Sequence, residues 1–296
     1  MEIDAIVEAF LEKAREQNEI MSHSKSDDHL TEQYKNALVR YRSDLEVYVY
    51  QYLMTKYGPT FDAFWKTHSF PIKSPYAWVI VERRCHPNWW FVLRNLAWAA
   101  PSMSLYLFCS DENLPFLKTL LGDKANTVHL IPWFKGYADR PMAIKDYNEA
   151  LKTAGLYEKI DAEYAIFAQL DTYVRYKIPA SLFMGDYYGA PWNWDLDAPG
   201  GGGLSVRKIK SMIRICKEAP KDDRAEDIWF SDYVRANGYS YPPLELRTCI
   251  FSESYPIPYF IGVHQFWTYL DTYSVYNKAQ YREILKNYLT IHIDDK

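Results

Sequence analysis

Beyond Pro71 and Pro75 the chain alternates short β-rich apolar runs with segments of helical periodicity, and this alternation is what most restricts its fold. Strands that follow one another through helical crossovers build a mostly parallel sheet flanked by helices, an α/β, Rossmann-like architecture. The strand runs are Ala77 to Glu82, Ser104 to Cys109, Thr127 to Ile131 and Tyr164 to Leu170. Helical periodicity covers Trp89 to Ala99, Asn113 to Leu121 and Asn148 to Ile160, and later Ser205 to Cys216, Glu226 to Asn237 and Ala279 to Leu289.

The preceding segment has a different pattern. Ile3, Ile6, Val7, Phe10, Leu11 and Ala14 share one face of a 3.6-residue period, so an amphipathic helix opens the chain. Asn18 to Asp28 is polar and reads as a loop. From Thr31 to Tyr57 a second stripe (Tyr34, Leu38, Tyr41, Leu45, Tyr48, Val49, Tyr52) runs up to Gly58-Pro59, a helix stop signal. The expected organisation is a helical appendage over residues 1–73 and an α/β domain over 74–296. The second stripe can dock on that domain, bind an acceptor or join two copies in a homo-oligomer.

Charge and cysteine usage exclude several classes of function. A net charge of −4 gives no broad basic footprint for nucleic acid, although a single nucleotide remains an admissible ligand. Cys85, Cys109, Cys216 and Cys249 lack CxxC or metal spacing, which points to reduced thiols and a cytoplasmic setting. The N-terminus has no signal-peptide core, and no run approaches the roughly 20 apolar residues that span a bilayer. A soluble, unprocessed protein is expected. Aromatics are abundant, with 26 Tyr and 10 Trp, and most serve core packing.

Several polar groups stand where apolar runs end. In an open α/β sheet the carboxyl ends of the strands line the ligand crevice. There Glu82 could meet a ribose or base and Arg83 or Arg84 a diphosphate, with a surface ion pair as the plain alternative. Asp111 could accept from a base amide or cap a helix. Asp171, after the run YAIFAQL, could ligate a divalent ion beside a diphosphate with Gln169 as an outer contact, or start a turn. Gly201, Gly202 and Gly203, within the run that starts at Gly200, let backbone approach a ligand and lead into an expected helix start at Ser205, with a flexible turn as the plain alternative. Trp192, Trp194, Asp195 and Asp197 precede that run and suit a carbohydrate-facing wall. Asp227, with Glu226 as second choice, could act as a general base, while acids in a first helical turn also simply complement the macrodipole. His264, ending Ile261-Gly262-Val263, could ligate the ion, bond a phosphate or serve the core.

Taken in order, VIVERR, HPNWWFVLRNLAWAAP, YNEALKTAGLYEKIDAEYAIFAQLDTYV, DYYGAPW, GGGGLSVRKIKSMIRIC, EDIWFS and GVHQFW resemble an uncharacterised family of glycosyltransferase-type proteins with a GT-A-type nucleotide-diphospho-sugar transferase fold. The resemblance covers roughly Tyr76 to Leu270. It implies that Asp171 stands for the surviving acid of a DxD motif, that Glu226 and Asp227 match the ED pair of inverting transferases, and that His264 matches a late metal-ligating histidine. It also implies that Arg83 and Asp111 lie where the nucleotide binds. Gln169 replaces the first acid of DxD, and a neutral amide is a poorer ligand for a hard cation. The expected activity is transfer of a sugar from a nucleotide-diphospho-sugar donor to a glycan-type acceptor hydroxyl, with Mn2+ or Mg2+. A sugar nucleotidyltransferase and a catalytically inactive carbohydrate-binding protein of the same fold are the alternatives.

Overall fold

The structure, a computed structural model, describes residues 3–23, 28–136, 144–254, 257, 259–268 and 278–293, without the side chains of 14–42 and 144. Two helices open the chain, α1 (Ile3–His23) and α2 (Asp28–Thr67). The alternation then begins with β1 (Tyr76–Val81), α3 (Trp89–Ala99), β2 (Ser104–Ser110), α4 (Leu114–Leu121) and β3 (His129–Phe134). It continues through α5 (Ile144–Leu151), α6 (Ala154–Tyr157), β4 (Tyr164–Ala168), β5 (Thr172–Val174), β6 (Tyr187–Gly189) and β7 (Leu204–Lys208). The remaining elements are α7 (Ile209–Glu218), α8 (Glu226–Ala236), α9 (Leu244–Arg247), β8 (Phe251–Ser252), β9 (Gly262–His264) and α10 (Lys278–Tyr288).

The chain divides into two compact units, Met1–Thr60 with Gln265–His292, and Phe61–His264. The first unit thus includes a C-terminal stretch that sequence pattern alone assigns to the α/β domain. There Asp4 and Glu8 of α1 pair with Arg282 and Lys278 of α10. Tyr57 donates its hydroxyl to Leu289 O at 3.2 Å and accepts from Ile291 N at 2.9 Å, and Phe266 stacks on Tyr288 at 4.4 Å. The side chains of Ala14, Tyr34, Leu38 and Tyr41 lie outside the described residues, as do 24–27 of the expected loop.

In the second unit a six-stranded sheet runs in the order β3-β2-β1-β4-β7-β6. The first four strands are parallel, β7 runs antiparallel to β4, and β6 pairs antiparallel with β7. β1 and β2 are near-continuous apolar runs because helices cover both faces. β3, half-exposed and carrying Pro132, occupies an edge, where a missing N–H costs no ladder bond. The chain steps outward from β1 to β3 and then returns to the far side of β1 at β4. This reversal makes the carboxyl ends of β1 and β4 the switch point of the sheet. One core face packs Val79, Phe108, Phe167 and Tyr187 against Leu151, Met212, Ile215 and Phe230. A small second sheet, β5-β9-β8, lies at the end of β4.

Three expectations are corrected. α1 continues through Asn18 to His23 as helix. α2 runs through Gly58-Pro59 to Thr67: an interior proline costs a helix about 3 kcal/mol, but Phe61 and Trp65 beyond it are buried, Phe61 packing on Phe91 and Trp98. The Asn148 to Ile160 helix breaks at Thr153, which is extended at φ −103° and ψ 119°, while Lys152 is held by the carbonyls of Asp222 and Arg224. Among the described residues no helix is long and apolar enough to cross a membrane, and all four cysteines are free thiols.

Candidate functional site

Backbone pairing assembles the site. β4 ends at Ala168 opposite Leu204, and Gln169 N extends the ladder by donating to Gly203 O at 2.9 Å. The chain turns there, with Thr172 Oγ1 donating to Gln169 O, and re-enters as β5 with Thr172 opposite His264. β8 runs parallel to β9 with Ser252 opposite Val263, so Glu253 emerges beside His264. The turn after β4 and two strands roughly 80 to 90 residues later therefore deliver Asp171, Glu253 and His264 to one place.

The His264 ring is 4% exposed and sits between acceptors. Nε2 lies 3.4 Å from Asp171 Oδ1 and 3.1 Å from Gln169 Oε1, and Nδ1 lies 3.1 Å from Glu253 Oε1. Gln169 is oriented from behind, its amide donating to Tyr147 OH at 2.8 Å. Burial alone would lower the histidine pKa, but Glu253 and Asp171 outweigh it and raise it to about 10. Burial pushes Asp171 upward, and His264 more than offsets this, holding the carboxyl below its usual range.

The glycine run lies against these groups. A Cβ on Gly203 would enter the His264 ring, and one on Gly202 would enter the Glu226 carboxylate and touch Asp227. Only hydrogen fits at those positions. Gly202 N donates to Asp227 Oδ2 at 3.2 Å, and Ile228 N donates to its Oδ1 at 2.8 Å. Burial raises the Asp227 pKa, against the Gly202 N–H bond. Neighbouring Glu226 has another role. It is 3% exposed and pairs with Arg207 at 3.1 Å, and its backbone N donates to Asn148 Oδ1 at 3.0 Å. Arg207, fully buried, also donates to Tyr157 OH and Gly202 O and lies over Phe167 at 4.3 Å.

The run leads into strand β7, correcting the expected helix at Ser205. Leu204, Ser205, Val206 and Arg207 alternate with period two and pair with β4, so the glycines offer no helix N-terminus to an oxyanion.

At the end of β1, Arg84 forks onto Glu82 with contacts of 2.9 and 2.5 Å. Asn88 donates to Leu170 O at 3.0 Å, tying this loop to the Asp171 turn, and the Arg84 charge helps hold the Asp171 pKa down. Arg83 points elsewhere, to Asp146 at 3.3 Å and the Phe134 ring. Asp111 accepts from Gly136 N at 2.9 Å and caps no helix. The structure thus brings together Gln169, Asp171, Gly201 to Gly203, Glu226, Asp227 and His264, with Arg84 rather than Arg83 toward Asp171; Arg83 and Asp111 stand on the β3 side.

Glu253, Arg207 and Tyr147 escape sequence reasoning. Glu253 does carry the signature that marks Asp171, an acid closing a short apolar run, here Ile250-Phe251-Ser252.

The groups available to a divalent ion here are a carboxylate oxygen, an amide oxygen and one ring nitrogen. Asp171 Oδ1 is buried with no neighbour closer than His264 Nε2 at 3.4 Å to satisfy it, Gln169 Oε1 lies 3.1 Å from the same nitrogen, and Glu253 stands behind Nδ1, as carboxylates do behind metal-bound imidazoles. Among the described residues, no three His, Cys, Asp or Glu side chains surround a common point. Glu253 and Asp171 flank opposite nitrogens of the ring, so an ion here would meet Asp171 and the neutral Gln169, and His264 Nε2 once that nitrogen has lost its proton.

Residues 137–259, less than half of the chain, match a family described as a protein of unknown function (DUF5672). That span holds Asp171, the glycine run, Asp227 and Glu253 and stops short of His264. No curated protein matches the chain at a significant level.

Proposed function

We propose that this chain is an inverting glycosyltransferase of GT-A type, moving a sugar from a nucleotide-diphospho-sugar to an acceptor hydroxyl. One observation carries the reading: Asp171, His264 and Asp227 meet along consecutive glycines at the carboxyl end of β4, beside the switch point. The nucleotide would lie toward the carboxyl end of β1, where Arg84 is held by Glu82. Asp227 takes the acceptor hydroxyl proton as that oxygen bonds to the anomeric carbon. The bond from that carbon to the diphosphate breaks, and the nucleoside diphosphate leaves with the electron pair. A carboxylate with a raised pKa is the better base for an alcohol. Glu226, tied to Arg207, holds the start of α8 so that Asp227 stays against Gly202.

Asp171, His264 Nε2 and Gln169 would hold Mn2+ or Mg2+, which when bound neutralises the leaving diphosphate. Arg84 adds fixed positive charge near Asp171.

The test is Asp227→Asn. Transfer to acceptor should fall by roughly 10²–10⁴-fold, while donor binding measured by calorimetry is retained. Wild-type turnover in the variant would refute the role of base.

A second reading is a protein that binds the donor without turnover. It is favoured by the engagement of both His264 nitrogens by carboxylates and by the amide at 169. It requires donor binding with no nucleoside diphosphate released on long incubation with Mn2+.

A further inference from the structure

Between β6 and the glycine run, residues 190–199 form a loop that bears two parallel indoles. Trp192 is 5% exposed and Trp194 is 61% exposed; their rings are 5.2 Å apart and inclined by 13°. Trp192 covers one face of Trp194, leaving the outer face to solvent. An exposed indole on a slack loop would mean little, but this loop is fixed. Arg247, 1% exposed, donates to the carbonyls of Leu196, Ala198 and Pro199. Asp195 accepts from Ala198 N at 3.1 Å and pairs with Arg235 at 3.1 Å. The large apolar ring is thus held in water by a rigid frame.

Its position ties it to the site. The Trp192 Nε1 edge lies against Gly201, the residue before the glycine that binds Asp227. Asn193 N donates to Ser254 Oγ, next to the Glu253 that flanks His264. β6 and β7 form the end of the sheet opposite β3, so this platform stands away from the β1 and β2 ends assigned to the nucleotide. Asn193 and Asp197, in the same loop, are also exposed and carry hydrogen-bonding groups.

We infer that Trp194 is the stacking platform of a carbohydrate subsite that receives the acceptor. A pyranose ring has a face of C–H groups that packs on an indole and a rim of hydroxyls that seeks amide and carboxylate oxygens. Asp195 is neutralised by Arg235, and the exposed Asp197 offers a phosphate-bearing ligand no attraction. A neutral sugar finds a flat apolar face with acceptors beside it. The inference deepens the transferase reading and rests on it for the word acceptor; sugar binding at Trp194 is tested without it.

The experiment is binding of the full chain to an array of neutral oligosaccharides, followed by titration of the best probe against Trp194→Ala, Trp194→Tyr and Ile72→Ala. Ile72 is another exposed apolar residue, 55% exposed, whose carbonyl contacts the ring of His129 on the opposite edge strand. The expected result is binding that weakens at least about tenfold in Trp194→Ala, recovers largely in Trp194→Tyr and is unchanged in Ile72→Ala. Equal binding by wild type and Trp194→Ala, or no oligosaccharide bound by wild type, would overturn the subsite. Binding lost in Trp194→Ala with no donor turned over by the wild type supports the subsite and sinks only the transferase reading.

Discussion

The His264 imidazole meets the Asp171 carboxylate at 3.4 Å because Thr172, the residue after Asp171, is the register partner of His264. With Glu253 on the other nitrogen, the ring holds its proton far more tightly folded than unfolded, at about 10 against 6.5. A raised folded pKa gives stability that is complete below the unfolded value and is lost as pH rises toward the folded one. Urea midpoints should therefore fall between pH 6.5 and about 10, and His264→Gln should flatten that fall. An unaltered alkaline slope in the variant would contradict the pairing. Because proton and metal compete for Nε2, Mn2+ affinity should also weaken as pH falls.

His68 predicts the opposite limb. Burial, with Lys124 and Lys177 nearby, lowers its pKa to about 4, so it folds neutral against Phe64 and Phe70. A depressed folded value favours protonation of the unfolded chain, and stability should drop as pH falls from 6.5 toward 4. His68→Leu should remove that part of the acid sensitivity in a pH series of thermal melts.

Arg207 and Glu226 form a buried pair, and removing one charge strands the other. Arg207→Met should cost about 3–5 kcal/mol, while the double variant Arg207→Met with Glu226→Met should recover much of the loss. Denaturant unfolding of the four chains of this cycle gives the coupling directly. Additive losses would mean that the pair does not interact.

Two glycines separate close approach from mere flexibility. Gly203→Ala drives a methyl into the His264 ring and should destabilise by about 1–3 kcal/mol while damaging any activity of the site. Gly155→Ala in α6 meets nothing closer than 3.7 Å and should be neutral or stabilising by up to about 1 kcal/mol. Equal melting shifts would refute the assigned contacts.

Much of the frame is legible in the sequence because β1, β2 and β4 are apolar runs long enough to leave no competing pattern. Asp171 and His264 stand out for the same reason, each being polar where such a run stops. β7 is not legible: Ser205 and Arg207 interrupt its apolar residues, and their burial depends on Tyr157, Glu226 and Gly202, which only the fold brings near. Strands of two and three residues, β8 and β9, are too short to declare themselves, so Glu253 stays hidden although it touches His264. Arg84 rather than Arg83 turns toward Asp171 because Asn113 and Glu82 fix the backbone and side chain at the end of β1, a choice that adjacent arginines do not reveal.

The most direct measurement is a thermal-shift screen of the wild type and Asp171→Asn against UDP-, GDP-, CMP- and dTDP-sugars, with and without Mn2+. A ligand that binds only the folded state raises the melting temperature by mass action. At least one nucleotide-sugar should stabilise the wild type, more strongly with Mn2+, and Asp171→Asn should lose the response. No shift with any donor, or an equal shift in Asp171→Asn, would contradict a sugar-nucleotide site built on Asp171 and His264.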